Sequence, residues 1–591
     1  MKIKNPIIIA YAFWRFFLWF VRKIIIKINL NEILTRNKRP SYLQKIKMRQ
    51  NPGAAEFRLP LQLNRGASML PSRIYLATQA LELNGQPIPW QKGFEDIEDL
   101  FALHRWGWLL RSLVEFPNMN FCVWAGRELM EWTEKFLAKK NGPIWEAYSV
   151  SERIVNGILF YNVCSEYLEK KIRDKFVSTI NEHAQFLKNH LEYHGRKNTN
   201  NHFLNNARAL YFAGQFLKNE EFSESGRLIF INELPIMLTS AGFLREESSH
   251  YHFLLTRSVL EVWWAARETK DFDFANKIKS FAIKMIKRCY FFLMESPTGD
   301  FTMPFIGDVS PDFPPDWLIS VPFSKIAADL LKEDNVFFSE RINDSNNWAQ
   351  LFGNTLFVPA SEHPVQEFYE ADGWLRLNID GATVFWPLKP NGTINYHGHN
   401  DLNSFCLYYQ GEPILTDQGR HSYKKNALGR YGRMAKAHNS LLIDGHEQYF
   451  LDWHGLTPKW ALFERVKITH EKTDRSLLLS IRTSHFSRTF RFKFAPNECV
   501  IDDDFTGRGR HSVTSFFHAS PNVKITQLNN RRISIKSANN EFSLFVTANE
   551  ANIEIRNDYF FSSYGQKRRA KTIVCSTKKR FPTKITYIIN W

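Results

Sequence analysis

The chain reads as a multidomain α+β protein, an α/α toroid followed by an antiparallel β-sandwich, on three observations. Its 591 residues exceed one ordinary core and suggest roughly two to four domains. Hydrophobic residues make up 44% and aromatics 15%, which excludes a disordered or fibrous chain. The period of the apolar residues also changes past the middle, from three- and four-residue steps to alternation.

Residues 1–30 form the first element. "NPIIIAYAFWRFFLWFVRKIIIKI" is interrupted by Arg15, so it lacks the uncharged run of about 18 residues that a membrane span needs. No small-residue cleavage site follows it. On a helix, Lys4, Tyr11, Arg15 and Arg22 fall in one narrow polar stripe. A basic amphipathic helix at an interface is expected, with an uncleaved signal or a helix packed on the body as the alternatives. Residues 1–50 carry 12 Lys or Arg against Glu32 alone, leaving +6 of the net +17 for the other 541 residues. The charge therefore points to peripheral membrane or polymer contact through the N-terminus. No nucleic-acid-binding motif accompanies it.

Residues 31–355 form the helical element. "FEDIEDLFALHRWGWLLRSL", "SERIVNGILFYNVC", "NNARALYFAGQFL" and "HFLLTRSVLEVWWAARE" repeat apolar residues at helical steps, separated by short polar or Gly/Pro connections. No strict repeat motif is visible, so a stack or ring of helix pairs is the economical architecture. Residues 356–591 form the β element. "RTFRFKF", "EFSLFVTA" and "KITYIINW" are short alternating runs punctuated by turn-forming clusters. The boundary is expected within "LFVPASEHPVQ", residues 356–366. The six cysteines show no Cys-x-x-Cys pair, so buried free thiols are expected and no disulfide framework.

Several polar clusters exceed what packing needs. "NTNNHFLNNARAL" (198–210) holds five Asn and a His in nine residues; capping explains one or two of them. A helix beginning near Asn201 would line up His202, Asn205 and Asn206, a set suited to a carboxylate or sugar hydroxyls. "REESSHYHFLLTRSVLE" (245–261) would bring Glu247, His250 and Tyr251 onto one helical face, although such a Tyr is commonly a half-buried core residue. "PFIGDVSPD" reads as a loop holding Asp308. "INYHGHNDLNSF" (394–405), if extended, puts His397, His399 and Asp401 on one face, which is either a solvated surface or a site. Downstream lie Asp417 and Tyr423 in "ILTDQGRHSY" and His438 in "RMAKAHNSLLID". Two imidazoles and a carboxylate from separate strands can satisfy zinc and leave one position for water.

In order, "NNHFLNNARAL", "EESSHYH", "GDVSPD", "HGHNDLNSF", "TDQG" and "AHNSLLIDG" resemble the heparinase II/III family of polysaccharide lyases, with its related alginate lyases, over roughly residues 90 to 450. The resemblance implies an α/α toroid followed by a β-sandwich, and cleavage of uronic-acid glycosides by β-elimination. By resemblance Asn201 and His202 would neutralise the substrate carboxylate, and Tyr251 and His397 would transfer the protons. His399, Asp417 and His438 would hold one structural zinc ion, with Asp401 as a supporting acceptor. Tyr423, Arg208 and His250 would contact substrate. The implied partner is an acidic polysaccharide. The basic helix would suit a cell-associated enzyme, periplasmic or membrane-peripheral, acting on the cell's own exopolysaccharide or capsule.

Three other readings compete. A glycoside hydrolase on a toroid would use a carboxylate pair from Glu246, Glu247 and Asp308. A non-catalytic carbohydrate-binding protein would keep the fold without the proton-transfer groups. A non-haem iron oxygenase would use His399, Asp401 and His438, but "NSLLIDGHEQYF" lacks the basic residue its cosubstrate would require.

Overall fold

The structure is a computed structural model and describes residues 39–45, 58–64, 69–195, 198–360, 368–369, 372–379, 381–388, 396–446 and 467–591, apart from 474–475, 483–485, 495–496, 539 and 549. The amphipathic helix expected over residues 1–30 lies outside these residues. Among the described residues no helix is long and apolar enough to cross a membrane.

The helical half is built from antiparallel pairs. Asn201–Leu217 turns into Glu220–Met237, and Ser249–Glu268 into Phe272–Phe292. Three of these four starts are set by a side chain that takes up an orphan amide of the first turn. The Asn200 carboxamide oxygen accepts from Phe203 N at 3.4 Å, and Ser248 Oγ accepts from Tyr251 N at 3.1 Å. Lys218 ends the first of these helices in the left-handed region, at φ 55°. Buried aromatic residues such as Trp106, Trp132, Phe160 and Phe212 fill the space between helices. Cys122 and Cys164 are disulfide-bonded, which corrects the expectation that all six are free. Cys289, Cys406, Cys499 and Cys575 are buried thiols, as expected.

Among the described residues the β half is one antiparallel network of 15 strands, joined through the long strands Asn497–Ala519 and Gln566–Asn590. It is folded over into layers. Trp386 and Phe490 lie four strands apart along the sheet path, a separation of about 19 Å if flat, yet their rings are 5.6 Å apart. Phe490, Phe492, Ile501 and Ile589 line the apolar space so enclosed. The Thr355–Pro359 strand pairs with Phe338–Ile342 in a separate hairpin. Among the described residues the first strand of the large sheet is Phe368–Tyr369.

Candidate active site

Where the halves meet, two main-chain segments of the helical half grip the loop that carries the catalytic histidine candidate. His397 N donates to Glu246 O at 3.1 Å, and Asp308 N donates to His397 O at 2.9 Å. Gly307, at φ +80°, makes this approach feasible: a Cβ there would fall 2.5 Å from Glu247 O and 2.8 Å from His397 O, closer than any side chain tolerates. Residues 396–405 are irregular and form no strand. The expected extended run is corrected: the His397 backbone groups are taken up by the toroid segments, and those of Asn400 and of Leu402 to Phe405 by loops and side chains of the β half rather than by a sheet ladder.

His397 and Tyr251 stack face to face, with ring centroids 3.6 Å apart and an interplanar angle of 16°. Tyr251 is 6% exposed and its hydroxyl meets that of Tyr423 at 2.6 Å. Burial drives the Tyr251 phenol well above its ordinary range, so it is a protonated donor at neutral pH. His397 Nδ1 is 3.1 Å from Asp308 Oδ2, and its Nε2 is 3.2 Å from the Asn201 amide nitrogen. Asp308 also meets His399 Nε2 at 2.8 Å and receives Arg420 on both oxygens at 3.0 Å. Burial opposes its charge, but Arg420 and the two imidazoles hold the carboxyl well below the usual range. An ionised Asp308 accepts from a proton-bearing Nδ1 and so leaves the His397 Nε2 lone pair as the acceptor that the Asn201 amide meets.

Asn201 and His202 open the Asn201–Leu217 helix. The Asn201 side chain donates to Glu246 Oε2 at 2.8 Å as well as meeting His397. Its amide therefore reaches a substrate carboxylate only by exchanging the second bond. His202 is differently placed. Its Nδ1 meets Glu192 Oε1 at 2.9 Å, and 41% of its side chain stays open although it sits deep among neighbours, beside the Tyr148 ring at 4.5 Å. Burial disfavours its cation, yet Glu192 overcomes this and raises the imidazole to about 9. A charged, partly open imidazolium is the stronger of the two carboxylate partners.

Asn205 and Asn206, expected beside His202 as a recognition row, are buried. Asn206 Nδ2 donates to Glu192 Oε2 at 3.1 Å and thereby orients His202 through its partner. Asn205 accepts from Arg208. Arg208 is fully buried and paired with Glu152 and Glu261 from neighbouring helices, so its expected substrate contact is corrected to an interior ion pair. His250 is likewise fully buried. Its Nδ1 accepts from Ser310 N at 3.1 Å, and burial lowers it to about 3; it anchors the Asp308 loop instead of touching substrate. Glu247 lies before the helix with φ 60°, not on the face of Tyr251. Tyr423 does reach the site, through Tyr251.

His399, Asp417 and His438 come together in the β half. All are buried, and one donor atom from each lies within 4.8 Å of the others. His438 Nδ1 meets Asp417 Oδ2 at 2.8 Å. A set of two imidazole nitrogens and a carboxylate oxygen fits a divalent transition metal. The carboxylate that orients His399 from behind is Asp308, the position foreseen for Asp401. Glu192, Arg420 and Glu246 are site residues that pattern reading missed or read otherwise. The only advance signal was Glu246 within the "EESSHYH" cluster.

Residues 115–318 match the heparinase II/III N-terminus family and residues 368–588 the heparinase II/III-like C-terminal family. No curated protein matches. Among solved structures, a heparinase III aligns with a TM-score of 0.64 at 16% identity, over 85% of this chain and 78% of that one. The heparan sulfate lyase HepC from Pedobacter heparinus aligns at 0.53 and 15%, over 87% and 79%. The Streptomyces coelicolor A3 chondroitin AC lyase, in complex with chondroitin sulphate, aligns at 0.52 and 8%, over 83% and 74%. At these identities the likeness is one of fold, and it confirms the toroid and sandwich.

Proposed function

We propose that this chain, which belongs to the heparinase II/III family, is a polysaccharide lyase that cleaves a uronic-acid-containing polymer by β-elimination. The observation that carries the reading is the stacked Tyr251 and His397 pair, one ring a protonated phenol and the other an imidazole whose Nε2 lone pair is met only by the exchangeable Asn201 amide. The His202 cation, with Asn201, draws charge from the substrate carboxylate and so acidifies the C5 hydrogen. His397 Nε2 takes that proton. The electron pair forms the C4–C5 double bond, the C4–O bond breaks, and the Tyr251 hydroxyl protonates the departing oxygen, which becomes part of a new reducing end.

The metal in this reading is a single zinc held by His399, Asp417 and His438, which stiffens the loop behind His397. Glu246 and Asp308, the carboxylates a hydrolase would need, are committed to Asn201 and to Arg420 with the two histidines. The proposal extends to a cell-associated enzyme, periplasmic or membrane-peripheral, trimming the cell's own exopolysaccharide. The basic N-terminal sequence and the Cys122–Cys164 disulfide support an extracytoplasmic setting. Incubation with heparosan, hyaluronan, alginate and glucuronan tests the chemistry: ultraviolet absorbance of an unsaturated uronate is expected with at least one. New reducing ends without that absorbance would mean hydrolysis and end the lyase reading.

A further inference from the structure

Far from the cleft, the β half carries an open groove of about 570 Å³ lined by Gly509, Arg510, Glu550, Lys578, Lys579 and Arg580. Its floor contains an arrangement that stability alone disfavours: Arg510 on one long strand stands directly opposite Arg580 on the next. Directly opposed like charges repel across a sheet. Glu550 is the one carboxylate in the lining, and it meets Lys579 at 3.3 Å. Among the described residues no carboxylate pairs with Arg510, Lys578 or Arg580, and all three are exposed. A sheet that packs like-charged side chains opposite one another in an open trough, and leaves them unneutralised, is built to receive negative charge.

We propose that this groove is a second, non-catalytic binding site for an acidic polysaccharide, the same polymer that the cleft cleaves; it rests on the lyase reading for that identity. Three observations select the ligand. The groove is open to solvent and three of its lining residues are exposed cations, Arg510, Lys578 and Arg580, so a long anionic chain can lie in it. No aromatic side chain lines it, so the stacking platform on which single-stranded nucleic acid depends is absent. The strand Asn497–Ala519 meets Leu415 at Ala519, two residues from the metal-site residue Asp417, and Arg510 lies nine residues back along it. At about 3.3 Å per residue the two sites are roughly 30 Å apart. A polymer bridges that span and a short oligosaccharide does not. Holding a distant part of the chain raises the local concentration of scissile bonds at the cleft.

The test uses the full chain carrying Tyr251→Phe, which leaves the polymer intact, in affinity electrophoresis through gels containing heparosan, hyaluronan, alginate or glucuronan, with single-stranded DNA in a separate gel. Arg510→Gln with Arg580→Gln is expected to abolish most of the retardation by at least one polysaccharide. On the Tyr251 background the same pair of changes is expected to raise KM for that polymer at least about threefold and to leave kcat/KM for its tetrasaccharide unchanged. Retardation and polymer KM that both survive the two substitutions would overturn the proposal. So would a loss confined to the DNA gel, which would assign the groove to nucleic acid. The binding arm is read without turnover. A failed lyase reading would show as no cleavage with retardation still groove-dependent, and a failed groove as cleavage with retardation unaffected.

Discussion

Glu192→Gln isolates the electrostatic contribution of the His202 pair. The substitution keeps the side chain's size and an oxygen for Asn206, and removes the charge that raises His202 from 6.5 to about 9. At pH 7.5 an imidazole of pKa about 9 is roughly 97% protonated, and one at its ordinary 6.5 roughly 9%. Burial pulls in the same direction once the carboxylate is gone. Taken at face value the shift would be about 3 kcal/mol, but with 41% of the side chain open solvent screening reduces it to about 1–2 kcal/mol. That corresponds to a loss in kcat/KM of roughly 5- to 30-fold at pH 7.5. The assay is the ratio of variant to parent kcat/KM across pH, in which titrations common to both cancel. The ratio should rise toward one as pH falls through 6.5 and also converge above 9, where the parent too has lost the cation. The same pair sets a stability window: His202 has a raised pKa when folded, so its contribution is complete below about 6.5 and is lost as pH rises through about 9. A ratio near one at pH 7.5, or one that does not vary with pH, would refute the assignment of His202 as the charged carboxylate partner.

Tyr251→Phe and His397→Ala should each lower kcat by at least about 100-fold with near-ultraviolet circular dichroism unchanged; activity retained in both would dismiss the stacked pair as the proton carriers. His438→Ala should remove one equivalent of bound metal, measured by elemental analysis, and lower the melting temperature. A parent protein that is metal-free and melts the same with and without chelator would dismiss the metal site. Asp308→Asn withdraws the charge shared by His397, His399 and Arg420, so metal affinity and kcat should fall together, each by about 10- to 100-fold. A fall in one alone would show that the carboxylate does not serve both histidines.

Period alone distinguished the toroid from the sandwich, because helix and strand impose different spacings on the apolar residues of any buried face. The residues to which the proposed reaction is assigned were visible too, since Asn201, His202, Tyr251 and His397 stand out against the packing pattern. Their partners were not. Glu192 reaches His202 from before the helix, and Arg420 reaches Asp308 from 112 residues away; no local spacing encodes such pairs. Arg208 and His250 misled for a related reason. The family resemblance put them at the substrate, but whether a polar side chain turns to a cleft or to the interior depends on what neighbouring segments supply, here Glu152 and Glu261 and the Ser310 amide. The Cys122–Cys164 bond spans 42 residues between two helices, with no motif to announce it.

The main-chain clasp on His397 bears on how turnover is timed. Glu246 O on one side and Asp308 N on the other belong to the toroid, so the sandwich-half loop carrying His397 is tied to the half that carries Tyr251, while Arg420 and Tyr423 tie Asp308 and Tyr251 back to the sandwich. The two stacked rings are thereby held together from both halves. Substrate therefore meets a reaction geometry already assembled, and the rate at which polymer threads into and leaves the cleft becomes the step on which motion can act.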